Sequence, residues 1–153
     1  MAVILKRACL PLLAVVSIAL LSAAAAACDS SSTEPSDFAP FSQSDLRLGT
    51  GAAATIGLQL TVQYTGWLYD GAQTEQKGPQ FETSRGRDPL VFTIGANEVI
   101  QGWERGLIGL RVGGLRRLVI PPSLAYGGPR NGPIPPNATL VFEVELLDAQ
   151  QPQ

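Results

Sequence analysis

The stretch LVFEVEL, residues 140–146, is the segment that decides the fold class of this 153-residue chain. Large apolar residues recur at every second position, which is the period of a β-strand with one buried face. We therefore expect Leu140, Phe142, Val144 and Leu146 to point inward, and Val141, Glu143 and Glu145 to point outward. A strand of this kind predicts an antiparallel sheet with one face packed on a core.

Three runs upstream of this segment also have strand character. Residues 58–65 and 90–94 alternate in the same way, and residues 115–120 form an apolar-rich run that Pro121 and Pro122 terminate. The expected inward positions of the first two runs are Leu58, Leu60, Val62, Tyr64, Leu90, Phe92 and Ile94.

Only one segment of the domain has helical spacing. Ile100, Trp103 and Leu107 fall on one helical face, Asn97 is a suitable N-cap, and Glu98 stands in the expected first turn. Two internal glycines lower its helix propensity. The predicted fold class is therefore α+β, with several antiparallel strands and one short helix that covers a sheet face.

Two irregular stretches separate these elements. Residues 70–81 (DGAQTEQKGPQF) predict a polar loop without strand character, and residues 126–137 (YGGPRNGPIPPN) are dense in Gly and Pro. Long loops on a small rigid scaffold commonly carry binding sites.

The composition excludes several kinds of chemistry. The chain contains no histidine, and its only cysteines are Cys9 and Cys28. Histidine-based catalytic triads and histidine-ligated metal sites are therefore excluded, and the folded domain has no disulfide of its own. With 13 acidic and 11 basic residues and no basic run, the chain is a poor candidate for nucleic-acid binding.

The N-terminal segment has the pattern of an export signal. Lys6 and Arg7 precede an apolar run over residues 8–27, and small residues then lead to Cys28. The Ala25-Ala26-Ala27-Cys28 sequence resembles a bacterial lipobox, which implies a signal peptide over residues 1–27 and lipidation of Cys28. Ordinary cleavage that leaves a free Cys28 thiol, or an uncleaved membrane anchor, are the alternatives. All three predict export, and lipidation predicts membrane anchoring facing the periplasm or cell exterior.

The region after the apolar run is rich in Ser, Pro and acidic residues. Such a composition buries too little apolar surface to fold, so residues 28–44 are predicted to be a flexible tether. The folded domain is expected over residues 45–149, and residues 150–153 form a tail.

Six motifs, read in order, carry a resemblance to a known family. They are VQYTGWL (62–68), FETSRGR (81–87), EVIQGWE (98–104), VGG (112–114), PSLAYG (122–127) and IPPNATLVFEVEL (134–146). Together they span nearly all of residues 46–149. The set resembles the FKBP-type peptidyl-prolyl cis/trans isomerases, in which a twisted antiparallel sheet wraps around one short helix.

The resemblance implies an isomerase that rotates X-Pro bonds without a metal, a cofactor or a covalent intermediate. It places catalytic roles on Tyr126, Trp103, Ile100 and Glu82. The matching substrate-binding positions are Tyr64, Phe81, Arg87, Leu90, Val99, Ile134 and Phe142. Glu82 stands where the family usually has Asp, and Leu90 stands where it usually has an aromatic residue.

The resemblance also implies partners. They are proline-containing unfolded or partly folded proteins, with macrolides such as tacrolimus or rapamycin as inhibitors, and the protein is expected to be a monomer. Two other functions remain open: a non-catalytic module that holds Pro-containing segments, and a structural lipoprotein. The presence of Trp103, Tyr126, Phe81 and Phe142 together favours catalysis.

Overall fold

The structure is a computed structural model that describes residues 39–152. Its six strands form one antiparallel sheet in the order β1-β5-β6-β2-β3, with β4 pairing on β2 as well. The strands are β1 (Ser42–Arg47), β2 (Gln59–Tyr69), β3 (Lys77–Thr83), β4 (Leu90–Thr93), β5 (Leu115–Ile120) and β6 (Leu140–Gln150), and the one α-helix of this region is α1 (Gln101–Gly106). The predicted α+β class is confirmed.

Strands β2 and β6 form the centre of the sheet and supply much of the core. The inward positions predicted for β6 are all buried, as are Leu60 and Val62 of β2. Val141, which was predicted to point outward, is nevertheless fully buried. It lies between Val119 and Trp67 on the neighbouring strands, and these side chains form a small apolar cluster on the outer sheet face.

Strand β3 lies where the sequence predicted a loop, and this part of the prediction is wrong. None of its residues is buried and most are polar, because it is an edge strand that pairs only with β2 and through an irregular register. Edge strands need no buried face, so they lack the alternation that identifies a strand in a sequence. Pro79 is tolerated for the same reason.

Strand β1 is the opposite edge and begins three residues inside the predicted tether. All six of its residues are exposed, so apolar periodicity could not reveal it. Asp45 holds it in place through a two-bond ion pair with the buried Arg116 guanidinium, at 2.6 and 3.1 Å. This hydrogen bonding holds the pKa of Asp45 below its usual range. Arg116 also donates to the carbonyl of Gly106, the last residue of the helix, at 2.8 Å and to that of Ile108, two residues further on, at 3.0 Å.

Helix α1 starts later than the sequence predicted. Its N-cap is Ile100, which has an extended backbone and makes no side-chain cap. Asn97, the predicted cap, instead adopts a positive φ of 57° in the turn after β4, a conformation that asparagine tolerates well. Glu98 also serves this turn, because its carboxylate accepts a hydrogen bond from the Thr93 N–H at 2.8 Å.

The two helix glycines have a packing role that their low propensity hides. A Cβ added to Gly102 would lie 2.7 Å from Ile120 Cδ1, and one added to Gly106 would lie 2.6 Å from Leu118 Cδ2. Both partners are fully buried in β5. The glycines therefore allow the helix backbone to lie directly on the sheet, and this position brings Trp103 into the core.

Parts of the N-terminal prediction lie outside the described residues. They are the signal peptide, Cys28 and the tether as far as residue 38. Within residues 39–152, no helix is long and apolar enough to cross a membrane.

We predict that Gly102→Ala destabilises the domain. Overpacking against Ile120 costs about 1–3 kcal/mol, and the helix propensity of alanine offsets only about 1 kcal/mol of it. Urea unfolding is expected to give a net loss of up to about 2 kcal/mol. Gly128→Ala is the control, since its nearest neighbour, Asn137 Oδ1, is 3.7 Å away. Equal stability of the two variants would contradict the close helix–sheet contact.

Candidate functional site

A cavity of about 340 Å³ opens between the N-terminal end of α1, strand β4 and the loop after β5. Its volume is in the range of small-ligand sites. The residues that line it are Tyr64, Glu82, Leu90, Asn97, Glu98, Val99, Ile100, Trp103, Tyr126 and Phe142.

Trp103 is the centre of an aromatic cluster at this cavity. Its ring packs edge-to-face with Tyr64, at 5.1 Å between centroids, and with Phe142, at 5.3 Å. Phe92 of β4 supports it at 5.8 Å. The Trp103 side chain is buried, so its orientation is fixed by packing on several sides. The cavity therefore has a rigid apolar floor.

Phe81 extends the aromatic wall away from this floor. It packs edge-to-face on Phe142 at 5.6 Å. The contact depends on Gly66 of β2, because a Cβ there would lie 2.7 Å from the Phe81 ring and 2.8 Å from the Phe142 ring. A glycine inside a central strand thus makes room for the two phenylalanine side chains.

A second cavity of about 460 Å³ continues from the first. The two share Glu82 and Tyr126. The second is lined by Phe81, Glu82, Arg87, Tyr126, Asn131, Gly132, Pro133 and Ile134.

The two cavities together bring all eleven domain residues of the predicted site to one surface. Five lining residues were not predicted: Asn97, Glu98, Asn131, Gly132 and Pro133. Asn97 and Glu98 had been assigned only to the helix start. The other three lie in the Gly/Pro-rich loop, whose composition marks it as a binding loop without showing which residues face the cavity.

Two hydrogen-bond donors at the cavity are free to bind a ligand. Among residues 39–152, neither the Ile100 N–H nor the Tyr126 hydroxyl hydrogen-bonds to another protein group. The Ile100 N–H is free because it precedes the first helical turn, whose hydrogen bonds go to the Ile100 carbonyl. Tyr126 lies at the junction of the two cavities and is partly exposed. The site therefore offers two donors above an apolar floor.

A polar network positions the loop that carries Arg87 against β2. The buried Ser84 hydroxyl accepts a hydrogen bond from the Tyr64 N–H at 2.8 Å and donates to the Gln63 side chain at 2.6 Å. Gln63 in turn donates to the Arg87 carbonyl at 3.2 Å. This network fixes the backbone beside Tyr64 and Glu82.

Glu82 supplies negative charge to both cavities. Its side chain is exposed, and within residues 39–152 it makes no ion pair with Arg87 shorter than 4 Å. Burial, followed by the charge of Glu82, raises the pKa of Tyr64 to about 12. The same two causes, in the same order, raise the pKa of Tyr126. Both hydroxyls therefore keep their protons at neutral pH and act as donors.

The described residues contain no cluster of three or more side chains suited to bind a metal ion. What the arrangement can do is hold a small apolar ring against Trp103 while donors bind adjacent carbonyl groups. It provides shape and hydrogen bonds rather than an acid–base pair.

Comparisons with known proteins agree with this geometry. The model of the family described as FKBP-type peptidyl-prolyl cis-trans isomerase matches residues 51–147. An FK506-binding protein of Neisseria meningitidis serogroup B is 46% identical over 105 residues, covering 67% of this chain and 90% of that protein.

Two solved structures are also similar. FkpA from Escherichia coli aligns with a TM-score of 0.61 and 41% identity, over 72% of this chain and 48% of that one. A peptidyl-prolyl cis-trans isomerase from Pseudomonas syringae pv. tomato aligns with a TM-score of 0.61 and 33% identity, over 72% and 76% respectively.

We predict that Glu82→Gln lowers the pKa of Tyr64 and of Tyr126, because removing a negative charge makes phenolate formation easier. Burial remains, so the pKa of Tyr64 is expected to stay above its ordinary value of about 10. Phenolate absorbance during alkaline titration measures both values, and Tyr64→Phe and Tyr126→Phe variants assign them.

Glu98→Gln is the matched control for this titration, since Glu98 lines the same cavity but bonds to the Thr93 N–H instead. An unchanged Tyr64 pKa in Glu82→Gln, or equal shifts in both variants, would contradict the assigned role of Glu82.

Proposed function

The chain belongs to the FKBP-type peptidyl-prolyl cis-trans isomerase family, and from this premise we propose that it assists the folding of exported proteins by rotating their X-Pro bonds. Its enzyme class is therefore that of the family, peptidyl-prolyl cis-trans isomerase. The clients we propose are unfolded or partly folded chains outside the cytoplasm, where slow prolyl rotation limits folding.

The observation that carries the mechanism is the apolar floor of Trp103 beneath two free donors. We propose that a prolyl ring rests on this floor while the Ile100 N–H and the Tyr126 hydroxyl, which line the same cavity, bind carbonyl groups on either side of it. Contacts to the ring and to flanking carbonyls would hold the proline while the carbonyl group of the preceding residue rotates about the X-Pro bond.

Rotation must overcome a barrier of roughly 18–20 kcal/mol, because the X-Pro bond has to lose its amide resonance. The planar amide carries strong charge separation, and the twisted amide carries less. A cavity with aromatic walls disfavours the planar state relative to the twisted one, which lowers the barrier by differential binding. Neither proton transfer nor a covalent intermediate is needed.

The two tyrosines fit this mechanism as donors rather than as bases. Their raised pKa values keep both hydroxyls protonated at neutral pH. Glu82 contributes by its charge, which helps to keep those protons in place. Leu90 and Ile134 continue the apolar lining at the two cavities.

A macrolide that presents an apolar ring beside two carbonyl groups would occupy the same site. The Neisseria relative is named an FK506-binding protein. We propose that this chain binds tacrolimus and rapamycin in the same pocket and that they inhibit it competitively.

We propose further that the monomeric domain is exported and held at a membrane through a lipid on Cys28. The support is the sequence of the N-terminal segment: two basic residues, an apolar run and five alanines directly before the cysteine. The mass of the mature N-terminal peptide tests this, since a diacylglyceryl group on Cys28 is expected. A free Cys28 thiol, or an intact leader, would contradict the lipid anchor.

We predict that Trp103→Leu lowers kcat/KM at least tenfold, whereas Tyr126→Phe lowers it only about fivefold. The first removes the shaped floor, while the second removes one hydrogen bond of about 1 kcal/mol. The measurement is a protease-free isomerisation assay on an Ala-Leu-Pro-Phe-type peptide, with circular dichroism to verify folding.

Tyr69→Phe serves as the control for hydroxyl loss, because Tyr69 lines neither cavity. Equal losses in Trp103→Leu and Tyr126→Phe would contradict the roles given to floor and hydroxyl. A wild-type rate no faster than the thermal reaction would favour the non-catalytic alternative.

A further inference from the structure

Three exposed aliphatic side chains lie outside the two cavities: Leu48 and Ile108 are at the loop that follows α1, and Ile56 lies against Gly95 in the turn after β4. Leu48 is 79% exposed, Ile56 72% and Ile108 42%. Arg105 and Arg111 flank Ile108 in sequence. We call these five residues the basic–aliphatic face. Leu48 and Ile56 are the most exposed large apolar residues in the part of the chain that the structure describes.

The two segments that carry this face are bonded to each other. Residues 48–57 and 105–114 run side by side, with backbone hydrogen bonds from Gly51 to Val112 (3.1 Å), from Ala54 to Leu110 (2.8 Å) and from Gly109 to Ala54 (2.9 Å). Leu48 and Arg111 also line one small cavity together. The two segments are therefore neighbours on the domain, and Leu48 and Arg111 lie beside each other.

The charge of these segments differs from that of the rest of the domain. Residues 39–152 contain ten acidic and nine basic residues, since three of the chain's thirteen acidic and two of its eleven basic residues come earlier. Residues 48–57 and 105–114 contain no acidic residue.

The two arginines of this face are free to pair with an anion. Within residues 39–152, neither Arg105 nor Arg111 has a carboxylate within 4 Å. Arg111 donates only to the Gly51 carbonyl. Two acidic side chains lie close to these segments: Asp45, which lines the small cavity with Leu48 and Arg111, pairs with Arg116, and one Glu104 oxygen accepts a hydrogen bond from the Gly95 N–H. The face thus presents unpaired positive charge beside aliphatic side chains.

The basic–aliphatic face is separate from the lining of the two cavities. Val99, Ile100 and Trp103 line the catalytic cavity near the N-terminal end of α1, whereas Ile108 and Arg111 follow its C-terminal end, with Leu48 beside Arg111. The N-terminal segment enters the domain at this same end, because Phe41 packs against Gly106.

We propose that the basic–aliphatic face seats the domain on the anionic lipid surface of the membrane that anchors the chain. This proposal rests on the export and anchoring set out under Proposed function. Exposed aliphatic side chains enter the boundary between headgroups and acyl chains, and arginines pair with lipid phosphates. None of the five residues of the face lines the isomerase pocket, so this contact would leave the pocket open toward clients.

The positive charge of the basic–aliphatic face favours an anionic lipid surface over an apolar protein partner. A second copy of the chain would bring the same arginines face to face, and like charges repel. A bilayer with anionic headgroups complements both the aliphatic and the basic part. Twelve residues separate Cys28 from Phe41, so the anchor would keep Phe41 within roughly 45 Å of the surface even if that segment were fully extended.

The test is hydrogen–deuterium exchange on the full chain mixed with vesicles, combined with flotation to measure the bound fraction. The vesicles are pure phosphatidylcholine, or three parts phosphatidylcholine to one part phosphatidylglycerol. With anionic vesicles, we expect protection of residues 48–57 and 105–112 and none of residues 81–90 or 122–134. Pure phosphatidylcholine is expected to protect the same segments less.

The double variant Arg105→Gln/Arg111→Gln should show less protection of these two segments from hydrogen–deuterium exchange. With anionic vesicles, the protection should fall to the level seen with pure phosphatidylcholine, since each cation near the surface contributes about a fivefold factor to binding. Ile56→Asn with Leu48→Gln should also reduce it. The matched control is Val91→Asn with Arg130→Gln, which changes an exposed aliphatic residue and an arginine elsewhere. All variants should keep full isomerase activity, because none of these residues lines either cavity.

Three results would overturn the proposal: vesicle-bound chain without protection of the two segments, chain that does not float with either vesicle, or equal effects of the control variant. Protection that depends on protein concentration without lipid would replace it with self-association. Isomerase activity is measured in parallel, so a failure of the lipid contact is distinguishable from a failure of the proposed function.

Discussion

The close contact between α1 and strand β5 is the constraint on which the site depends. Gly102 and Gly106 let the helix backbone lie directly on Ile120 and Leu118, where any side chain would collide. Because the helix is only six residues long, this contact rather than helix propensity stabilises it. The contact fixes Trp103 beneath Tyr64 and Phe142, and it leaves the Ile100 N–H free at the start of the helix.

The sequence predicts the parts of the fold that have a buried face, and it misses those that do not. Alternation identified β2, β4 and β6 because one side of each packs on the core. The edge strands β1 and β3 are polar and are held by backbone pairing and by Asp45–Arg116, which no local period reveals. Asn97 was misassigned because a turn and a helix cap favour the same residue types.

The residues of the candidate site were predicted from the six sequence motifs rather than from apolar periodicity. Trp103 and Phe142 have the spacing of ordinary core residues, and both are indeed buried. Their role comes from the open space above them, which depends on β4, the Gly/Pro-rich loop and Gly66 together. The properties of Tyr64 and Tyr126 likewise depend on their tertiary surroundings, because burial and the charge of Glu82 across the pocket raise both pKa values.

The central claim is that the pocket lowers the rotation barrier by its apolar shape and by hydrogen bonds, without proton transfer. The most direct measurement is the pH dependence of kcat/KM, together with its solvent deuterium isotope effect. The chain has no histidine, and both site tyrosines stay protonated, so we predict a flat profile from about pH 6 to about pH 9 and no significant isotope effect. A bell-shaped profile within that range, or a large isotope effect, would contradict the account.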